Sequence, residues 1–359
     1  MAPVYLIFIV LVCIQNGASL ARYTAIFSFG DSLTDTGNFG LVEKNYCCVH
    51  PPYGENFIAG PTGRCSNGRL IIDFIAEGLG LPHLPPYLGH SSKDFTQGVN
   101  FAVGGATAMN ADFFERRGVS IDSDISLGDQ FKWFKTVLPS LCASSSDCKD
   151  MFSRALFLVG EIGGNDYNYL LQQDQAEETE FIASQVIEVI MSTVTSLIQE
   201  GAVTLLVPGN IPIGCMSSHL TVYQSKNKDD YDSTGCLKWL NNLSQSYNSH
   251  LQNELNRLRE THVHATIVYV DYYSAALELF RSGSGYSLRS CCGDGGPYNY
   301  NLSSPCHFGS TVCDDPSLYV QWDGLHLTQK AYKHIATRIL EGTVNFPRIS
   351  LTLTDHNTM

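Results

Sequence analysis

The chain has 359 residues, of which 44% are hydrophobic and 16% are charged, a composition typical of a globular protein with one large core. It carries 22 basic and 35 acidic side chains, giving a formal net charge of −13. An acidic protein repels phosphate backbones and anionic lipid heads, so we expect no nucleic acid partner.

The first 21 residues have the pattern of a secretory signal peptide. The apolar run VYLIFIVLVCI at 4–14 is too short to span a bilayer comfortably, and Ser19-Leu20-Ala21 fits the small-x-small cleavage pattern. No Lys or Arg precedes the run, and a buried N-terminal strand is the alternative interpretation. We expect a signal peptide at 1–21 and one domain at 22–359. No later stretch looks apolar enough for a membrane anchor.

The cysteine content favours the same compartment. Twelve cysteines are dense for a reducing environment and natural for a secretory one. Cys142 and Cys148 flank a short polar loop and are expected to pair. Other plausible partners are Cys215 with Cys236, and Cys292, Cys306 and Cys313 among themselves. Cys47-Cys48 and Cys291-Cys292 are adjacent pairs without the spacing of a zinc site, so no metal is expected.

Two Asn-x-Ser sequons, at Asn242 and Asn301, are candidate N-glycosylation sites in a secretory protein. The N-terminal segment, the cysteines and the sequons together predict entry into the secretory pathway. They do not distinguish the apoplast from the vacuole as the destination. Oligomeric state does not follow from the sequence.

Short apolar runs alternate along the chain with longer segments of helical spacing. The pattern predicts strands at 24–29, 98–103, 154–159, 203–207 and 265–270. It predicts helices between and after them at 70–79, 127–138, 178–199, 237–259 and 328–340. Short, continuously apolar strands between helices indicate a mostly parallel sheet covered on both faces, an α/β fold of three α/β/α layers. Sites in such sheets lie at the carboxyl ends of the strands.

One strand ends abruptly in the stretch FSFGDSLTDTGN, which places Ser32 on a tight corner. A serine becomes a nucleophile when a base takes its proton and a third group orients that base. Asp323 stands three residues before His326 in WDGLHLT, a spacing that can bring a carboxylate to Nδ1 while Nε2 faces outward. A simple turn at Ser32 and a surface Asp–His pair are the alternatives.

Chemistry on a carbonyl also requires donors for the oxyanion. The candidates are the amide of Ser32, the amide of Gly105 and the side chain of Asn165. All three residues follow predicted strands, so they can meet at one edge of the sheet. Gly104 competes with Gly105 for this role, and tight turns or a helix cap are the alternative interpretations.

Four blocks in this order resemble the plant GDSL esterase/lipase family, also called SGNH hydrolases: GDSL at 30–33, NFAVGG at 100–105, GGND at 163–166 and DGLH at 323–326. The resemblance covers essentially the whole mature chain and is closest to the secreted plant branch. It implies the flavodoxin-like SGNH fold. It also implies Ser32 as nucleophile, Gly105 and Asn165 in the oxyanion hole, and His326 as base with Asp323.

The expected function is a secreted serine esterase that hydrolyses acetyl or phenolic esters of small plant specialised metabolites. An acyltransferase with the same triad, a lipase for longer acyl esters and a non-enzymatic binding protein are the alternatives. No dinucleotide fingerprint or P-loop lysine pattern is present, so no cofactor is expected.

Overall fold

The computed structural model describes residues 22–89, 94–173, 175–282 and 285–352. The signal peptide predicted at 1–21 lies outside the described residues. The strands, in chain order, are β1 (Ala25–Phe29), β2 (Gly98–Asn100), β3 (Ala155–Val159), β4 (Thr204–Pro208), β5 (Thr266–Val270), β6 (Cys292–Gly293), β7 (Thr311–Val312) and β8 (Asn345–Phe346).

Six of these strands form one mostly parallel sheet in the order β2-β1-β3-β4-β5-β8. Strands β1 to β5 run parallel, and β8 adds an antiparallel edge beside β5. Every residue of β1, β3 and β4 is buried, so both faces of the sheet centre are covered. The remaining pair, β6 and β7, forms a small antiparallel hairpin.

Helices cover the sheet in two groups. Their bounds are α1 (Asn38–Val42), α2 (Ile71–Gly78), α3 (Ala111–Glu115), α4 (Leu127–Leu141), α5 (Ser145–Ser153), α6 (Gly164–Gln172), α7 (Thr179–Glu200), α8 (Ser217–Val222), α9 (Lys238–Thr261), α10 (Tyr272–Arg281) and α11 (Gln329–Glu341). Helix α11 packs on α2 and α10, whereas α7 packs on α4, α5, α6 and α9. The helix–sheet–helix arrangement is the α/β/α fold that the sequence predicted.

The core beside β1 is aromatic. Phe27 stacks on Phe157 of β3 with 5.2 Å between ring centroids, and Phe134 of α4 and Phe152 of α5 meet both rings edge-on or tilted. All four rings are fully buried. Offset and edge-to-face contacts of this kind add to the free energy of burial, so β1 is firmly held where it delivers the next turn.

Strand order reverses at β1 and β3, because the chain leaves β1 for β2 on one side and then returns to place β3 on the other. Such a reversal opens a crevice at the carboxyl ends of the two strands, where ligands bind in open α/β sheets. Ser32 follows β1 and Asn165 follows β3, so the topology places both at this crevice.

Helix α7 corrects one expectation. Within it, Phe181–Glu200 is 20 residues long with mean hydropathy 1.7, so by length and composition alone this segment matches a membrane-spanning helix. The expectation that no later stretch is apolar enough was therefore wrong as a statement about composition. Half of the segment is buried, and α7 packs on four other helices, as a core helix does.

The described cysteines form five disulfides: Cys48–Cys65, Cys142–Cys148, Cys215–Cys236, Cys291–Cys313 and Cys292–Cys306. Cys313 therefore pairs with Cys291 and not within the predicted trio. Cys148 lies inside α5 rather than at the end of a polar loop, because the Ser144 side chain accepts a hydrogen bond from the Asp147 amide and starts a helix there. Among the described cysteines Cys47 is free.

Candidate active site

Ser32, His326 and Asp323 form a continuous hydrogen-bonded chain. Ser32 Oγ lies 2.8 Å from His326 Nε2, although the two residues are 294 positions apart. His326 Nδ1 lies 2.7 Å from Asp323 Oδ2. Ser32 is delivered by the end of β1, and the Asp–His loop immediately precedes α11. An imidazole that donates from Nδ1 to a carboxylate presents Nε2 to the serine hydroxyl as a proton acceptor.

Both oxygens of the Asp323 carboxylate accept two hydrogen bonds each. Its Oδ1 accepts hydrogen bonds from the amides of Leu325 at 2.9 Å and His326 at 2.8 Å. Its Oδ2 accepts one from the hydroxyl of Tyr53 at 2.8 Å, in addition to the His326 ring. Tyr53 was not predicted as a site residue. No sequence signal linked it to Asp323, because the two residues are 270 positions apart in the chain.

Burial and pairing act in opposite directions on the two ionisable groups. Burial would raise the pKa of Asp323, but the charge of His326 and hydrogen bonds from its ring and from the loop amides leave it below its ordinary value. Burial would lower the pKa of His326, but the charge and hydrogen bond of Asp323, with a contribution from Asp31, leave it above 6.5. An ionised carboxylate beside a strengthened base suits proton transfer from Ser32.

Gly105 rather than Gly104 presents a free amide to the site. The Gly104 amide is committed, because it donates to Asp35 Oδ2 at 2.8 Å. The Gly105 amide has no protein acceptor in the described part of the chain, and the residue lines the cavity beside Ser32. Its φ of +74° lies in the left-handed region that glycine adopts without strain.

Asn165 and the Ser32 amide complete a set of donors. Asn165 Nδ2 donates to Ala106 O at 3.0 Å, and its second hydrogen faces Asp31 Oδ2 at a longer 3.3 Å. The Ser32 amide has no protein acceptor among the described residues. Together with Gly105, these donors can stabilise a negatively charged oxygen formed beside Ser32 Oγ.

A pair of buried carboxyl groups lies behind the serine turn. The side chains of Asp31 and Glu161 hydrogen-bond to each other, and each also accepts a backbone amide, from Leu33 at 2.9 Å and Gly164 at 3.1 Å. Burial raises the pKa of Asp31 to about 6 and, with the charge of Asp31, raises that of Glu161 well above its usual range. The pair joins the Ser32 turn to the Asn165 turn.

Two amide side chains, neither predicted from the sequence, fix the loops that carry the site. Gln130 of α4 both donates to and accepts from the backbone of Gly30, at 2.8 and 2.9 Å. Gln321 donates to the carbonyl of Cys215 at 3.1 Å and accepts from the amide of Ser217 at 2.7 Å. In addition, Ser218 Oγ donates to Gly324 O at 2.8 Å, within the Asp–His loop.

A cavity of about 500 Å³ opens onto Ser32 and His326. Its aromatic lining is Phe39, Tyr46, Tyr53, Tyr169 and Tyr300, and its acidic lining is Asp31, Asp122, Glu161 and Asp323. No Lys or Arg is among the described residues that line it. A pocket of this volume with a mainly apolar wall and a few convergent polar groups suits a small organic ligand.

The two sequons occupy different surroundings. Asn242 is exposed on α9. Asn301 is half-buried in the loop closed by the Cys292–Cys306 disulfide, and its neighbours Tyr300 and Leu302 line the cavity. Across the described ranges, no group of three or more His, Cys, Asp or Glu side chains could hold a metal ion.

Residues 26–339 match the family model described as GDSL-like Lipase/Acylhydrolase. A GDSL esterase/lipase of Arabidopsis thaliana is 50% identical over 332 residues, covering 89% of this chain and 84% of that protein. The sinapine esterase of Brassica napus is 44% identical over 354 residues, covering 94% of this chain and 90% of that protein. The chain belongs to the GDSL-like lipase/acylhydrolase family, and it is a carboxylic ester hydrolase.

Proposed function

We propose that this protein hydrolyses acetyl or phenolic esters of small plant specialised metabolites through an acyl-enzyme on Ser32. The observation that carries the proposal is the chain of hydrogen bonds from Ser32 Oγ through His326 to Asp323, at 2.8 and 2.7 Å. The cavity beside Ser32 supplies room for the substrate.

The first half-reaction forms the acyl-enzyme. Ser32 Oγ attacks the ester carbonyl while His326 Nε2 takes its proton, and Asp323 stabilises the imidazolium that results. The amides of Ser32 and Gly105 and the Asn165 side chain donate to the carbonyl oxygen as it becomes negative. The tetrahedral intermediate then collapses, and His326 returns the proton to the leaving alcohol.

The second half-reaction releases the acid. Water gives a proton to His326 and attacks the acyl carbonyl in the same oxyanion hole, and collapse of this intermediate expels Ser32 Oγ, which takes that proton back from His326. Bulk water at about 55 M competes with any alcohol unless the enzyme positions that alcohol at high effective molarity. Leu302 lines the cavity and is itself exposed, so the cavity opens to solvent and water can reach the acyl-enzyme.

The cavity lining supports an aromatic acyl or alcohol group. Five aromatic side chains line it, and rings stack favourably on rings at centroid distances of about 4.5–7 Å. Four acidic side chains and no Lys or Arg among the described lining residues disfavour an anionic substrate. The similarity to a protein named sinapine esterase supports a phenolic ester in particular.

We also propose that the protein is secreted. Five disulfides are consistent with folding in an oxidising compartment, and the exposed Asn242 is accessible to glycosylation. Mass mapping of protein purified from plant tissue should find the mature N terminus at Arg22 and a glycan on Asn242. A retained N-terminal segment without a glycan would contradict secretion.

The test of the proposed function compares wild type with Ser32→Ala on a panel of acetyl, phenolic and long-chain acyl esters. Wild type should label with a fluorophosphonate probe and release free acid from acetyl or phenolic esters, and Ser32→Ala should do neither. Loss of a triad nucleophile costs on the order of a millionfold in turnover. Added acceptor alcohol at millimolar concentration, with both products followed by mass spectrometry, separates hydrolysis from acyl transfer. Preference for long-chain esters, or transfer product exceeding free acid, would contradict the proposal.

A further inference from the structure

The phenol of Tyr53 touches the carboxylate that orients the base. Its hydroxyl lies 2.8 Å from Asp323 Oδ2 and 3.5 Å from its other acceptor, the carbonyl oxygen of Cys306. The shorter contact takes the proton, because hydrogen bonds weaken steeply beyond their optimal length. Tyr53 is only 2% exposed, and its ring packs edge-on against the buried Trp322. The hydroxyl therefore has a fixed position.

Tyr53 also completes the hydrogen bonding of Asp323. A carboxylate has about four lone-pair positions, and here four donors fill them: two loop amides, the His326 ring and the Tyr53 hydroxyl. The first three donors belong to the Asp–His loop itself and move with it. Tyr53 lies 270 residues earlier in the chain, so it alone among these donors ties the carboxylate to a different part of the fold.

We propose that Tyr53 is a positioning residue of the esterase, whose phenol holds the Asp323 carboxylate in the orientation that His326 requires and lowers the basicity of that imidazole. The inference rests on the proposed function, since it assigns Tyr53 a part in the Ser32–His326–Asp323 mechanism. Two donors share one oxygen, Asp323 Oδ2. The hydrogen bond from the phenol draws negative charge away from the ring contact, so the carboxylate stabilises the protonated His326 ring less strongly.

Other titratable groups lie near the Asp–His loop, and their titration also has to be considered in any pH experiment. Asp31 acts on His326, and its own charge depends on Glu161. The groups that feel the Asp323 charge are Tyr46, Cys47, Tyr53, Tyr300 and Tyr332. Burial raises the pKa of the Cys47 thiol to about 11. None of these groups other than Tyr53 has a hydroxyl hydrogen-bonded to Asp323 among the described contacts.

The variant Tyr53→Phe removes this hydroxyl and leaves the ring in place. We expect kcat on p-nitrophenyl acetate to fall about tenfold, the size of effect for one charge-assisted hydrogen bond, with KM nearly unchanged. We expect the acid limb of the kcat profile to move upward by about 0.5 pH unit or more. Without the phenol hydrogen bond, the Asp323 carboxylate stabilises protonated His326 more strongly and raises its pKa. Fluorophosphonate labelling of Ser32 should slow in parallel.

A double-mutant cycle with Asp323→Asn tests whether Tyr53 acts through the carboxylate. In the Asp323→Asn background, Tyr53→Phe should change kcat by less than about twofold, since coupled residues are not additive. Tyr269→Phe is the matched control. It removes another buried phenol oxygen, on β5, that makes no hydrogen bond to Asp323 or His326 among the described contacts, and it should leave the acid limb in place. Thermal unfolding of each variant shows that it is folded.

An unmoved acid limb in folded Tyr53→Phe, or effects that add with those of Asp323→Asn, would overturn the inference and leave the esterase proposal standing. If Tyr53→Phe fails to fold, Tyr53→Leu, which also lacks a titrating side chain, and the labelling rate of Ser32 at several pH values provide the same test, and an unchanged pH dependence there overturns the inference. A wild type that neither labels nor hydrolyses esters would overturn the proposed function, and this inference with it.

Discussion

The carboxyl groups of Asp31 and Glu161 hydrogen-bond to each other inside the protein, directly behind the turn that presents Ser32. Asp31 precedes Ser32, and Glu161 precedes the turn of Asn165, so this pair of carboxyl groups joins the two halves of the site. Two buried carboxyl groups in contact cannot both ionise without a large free-energy cost, and burial raises the pKa of both. The consequence is a stability that depends on pH.

The Glu161→Gln variant should become more stable than wild type by a margin that increases as the pH rises. The raised pKa of Glu161 means that folding takes up a proton above the ordinary Glu value of 4.5, so wild-type stability falls with increasing pH. Gln keeps a hydrogen bond to Asp31 without that titration. Thermal unfolding at pH 5, 7 and 9 should give a difference in Tm that grows by a few degrees in favour of the variant. Glu188→Gln, an exposed change on α7, is the control, and an equal difference in Tm at every pH would contradict the raised pKa of Glu161.

The pH profile of hydrolysis should report the base. Asp323 and Asp31 raise the pKa of His326 above 6.5 despite its burial. A base must be neutral to accept the Ser32 proton, so activity is present above this pKa and is lost as pH falls through it. We expect the acid limb of kcat/KM for p-nitrophenyl acetate to have its midpoint above pH 6.5, and a midpoint below 6 would show that another group controls it.

The central strands and long helices could be predicted because each has a recognisable pattern of apolar residues within its own stretch of sequence. Strand β3 was expected at 154–159 and is Ala155–Val159, and α9 was expected at 237–259 and is Lys238–Thr261. A buried strand is a continuous apolar run, and a long surface helix repeats its apolar face many times. Shorter elements such as α8 have too few residues for a period. The edge strand β8 exists only through its pairing with β5, a contact between distant parts of the chain.

The same distinction applies to the site. Ser32, Asp323 and His326 could be singled out because each lies in a short motif, and the structure brings them together; their catalytic roles remain predictions. Tyr53 and Glu161 could not, because their contacts depend on how loops meet across 270 and 130 residues of chain. Glu161 had one signal that sequence analysis did not use, a carboxyl group two residues after the end of a buried strand. Buried charges are rare unless they are paired, so such a residue predicts a partner.

Asn165→Ala should impair turnover rather than substrate binding. The Asn165 side chain donates to Ala106 O at 3.0 Å and to Asp31 Oδ2 at 3.3 Å, and an oxyanion beside Ser32 would compete for the longer of these two hydrogen bonds. Loss of one oxyanion donor lowers kcat by roughly a hundred- to a thousandfold. Steady-state kinetics should show that fall with little change in KM, while Asn253→Ala on the exposed face of α9 has no effect. A change confined to KM would make Asn165 a substrate-binding residue instead.

Two disulfides should differ in their effect on activity. Cys215–Cys236 is coupled to the Asp–His loop, because Gln321 donates to the Cys215 carbonyl. Cys142–Cys148 lies at the junction of α4 and α5, away from the site. Loops of 21 and 6 residues correspond to about 3 and about 2 kcal/mol of unfolded-state entropy.

We therefore expect Cys215→Ser with Cys236→Ser to lower both the free energy of unfolding and kcat, since the loop carrying His326 loses its support. Cys142→Ser with Cys148→Ser should lower only the free energy of unfolding and leave kcat within about twofold of wild type, because distant sites act independently. Denaturant unfolding and ester hydrolysis on the same preparations make the comparison. Equal losses of kcat in both double variants would mean that Gln321 does not transmit the disulfide's constraint to His326.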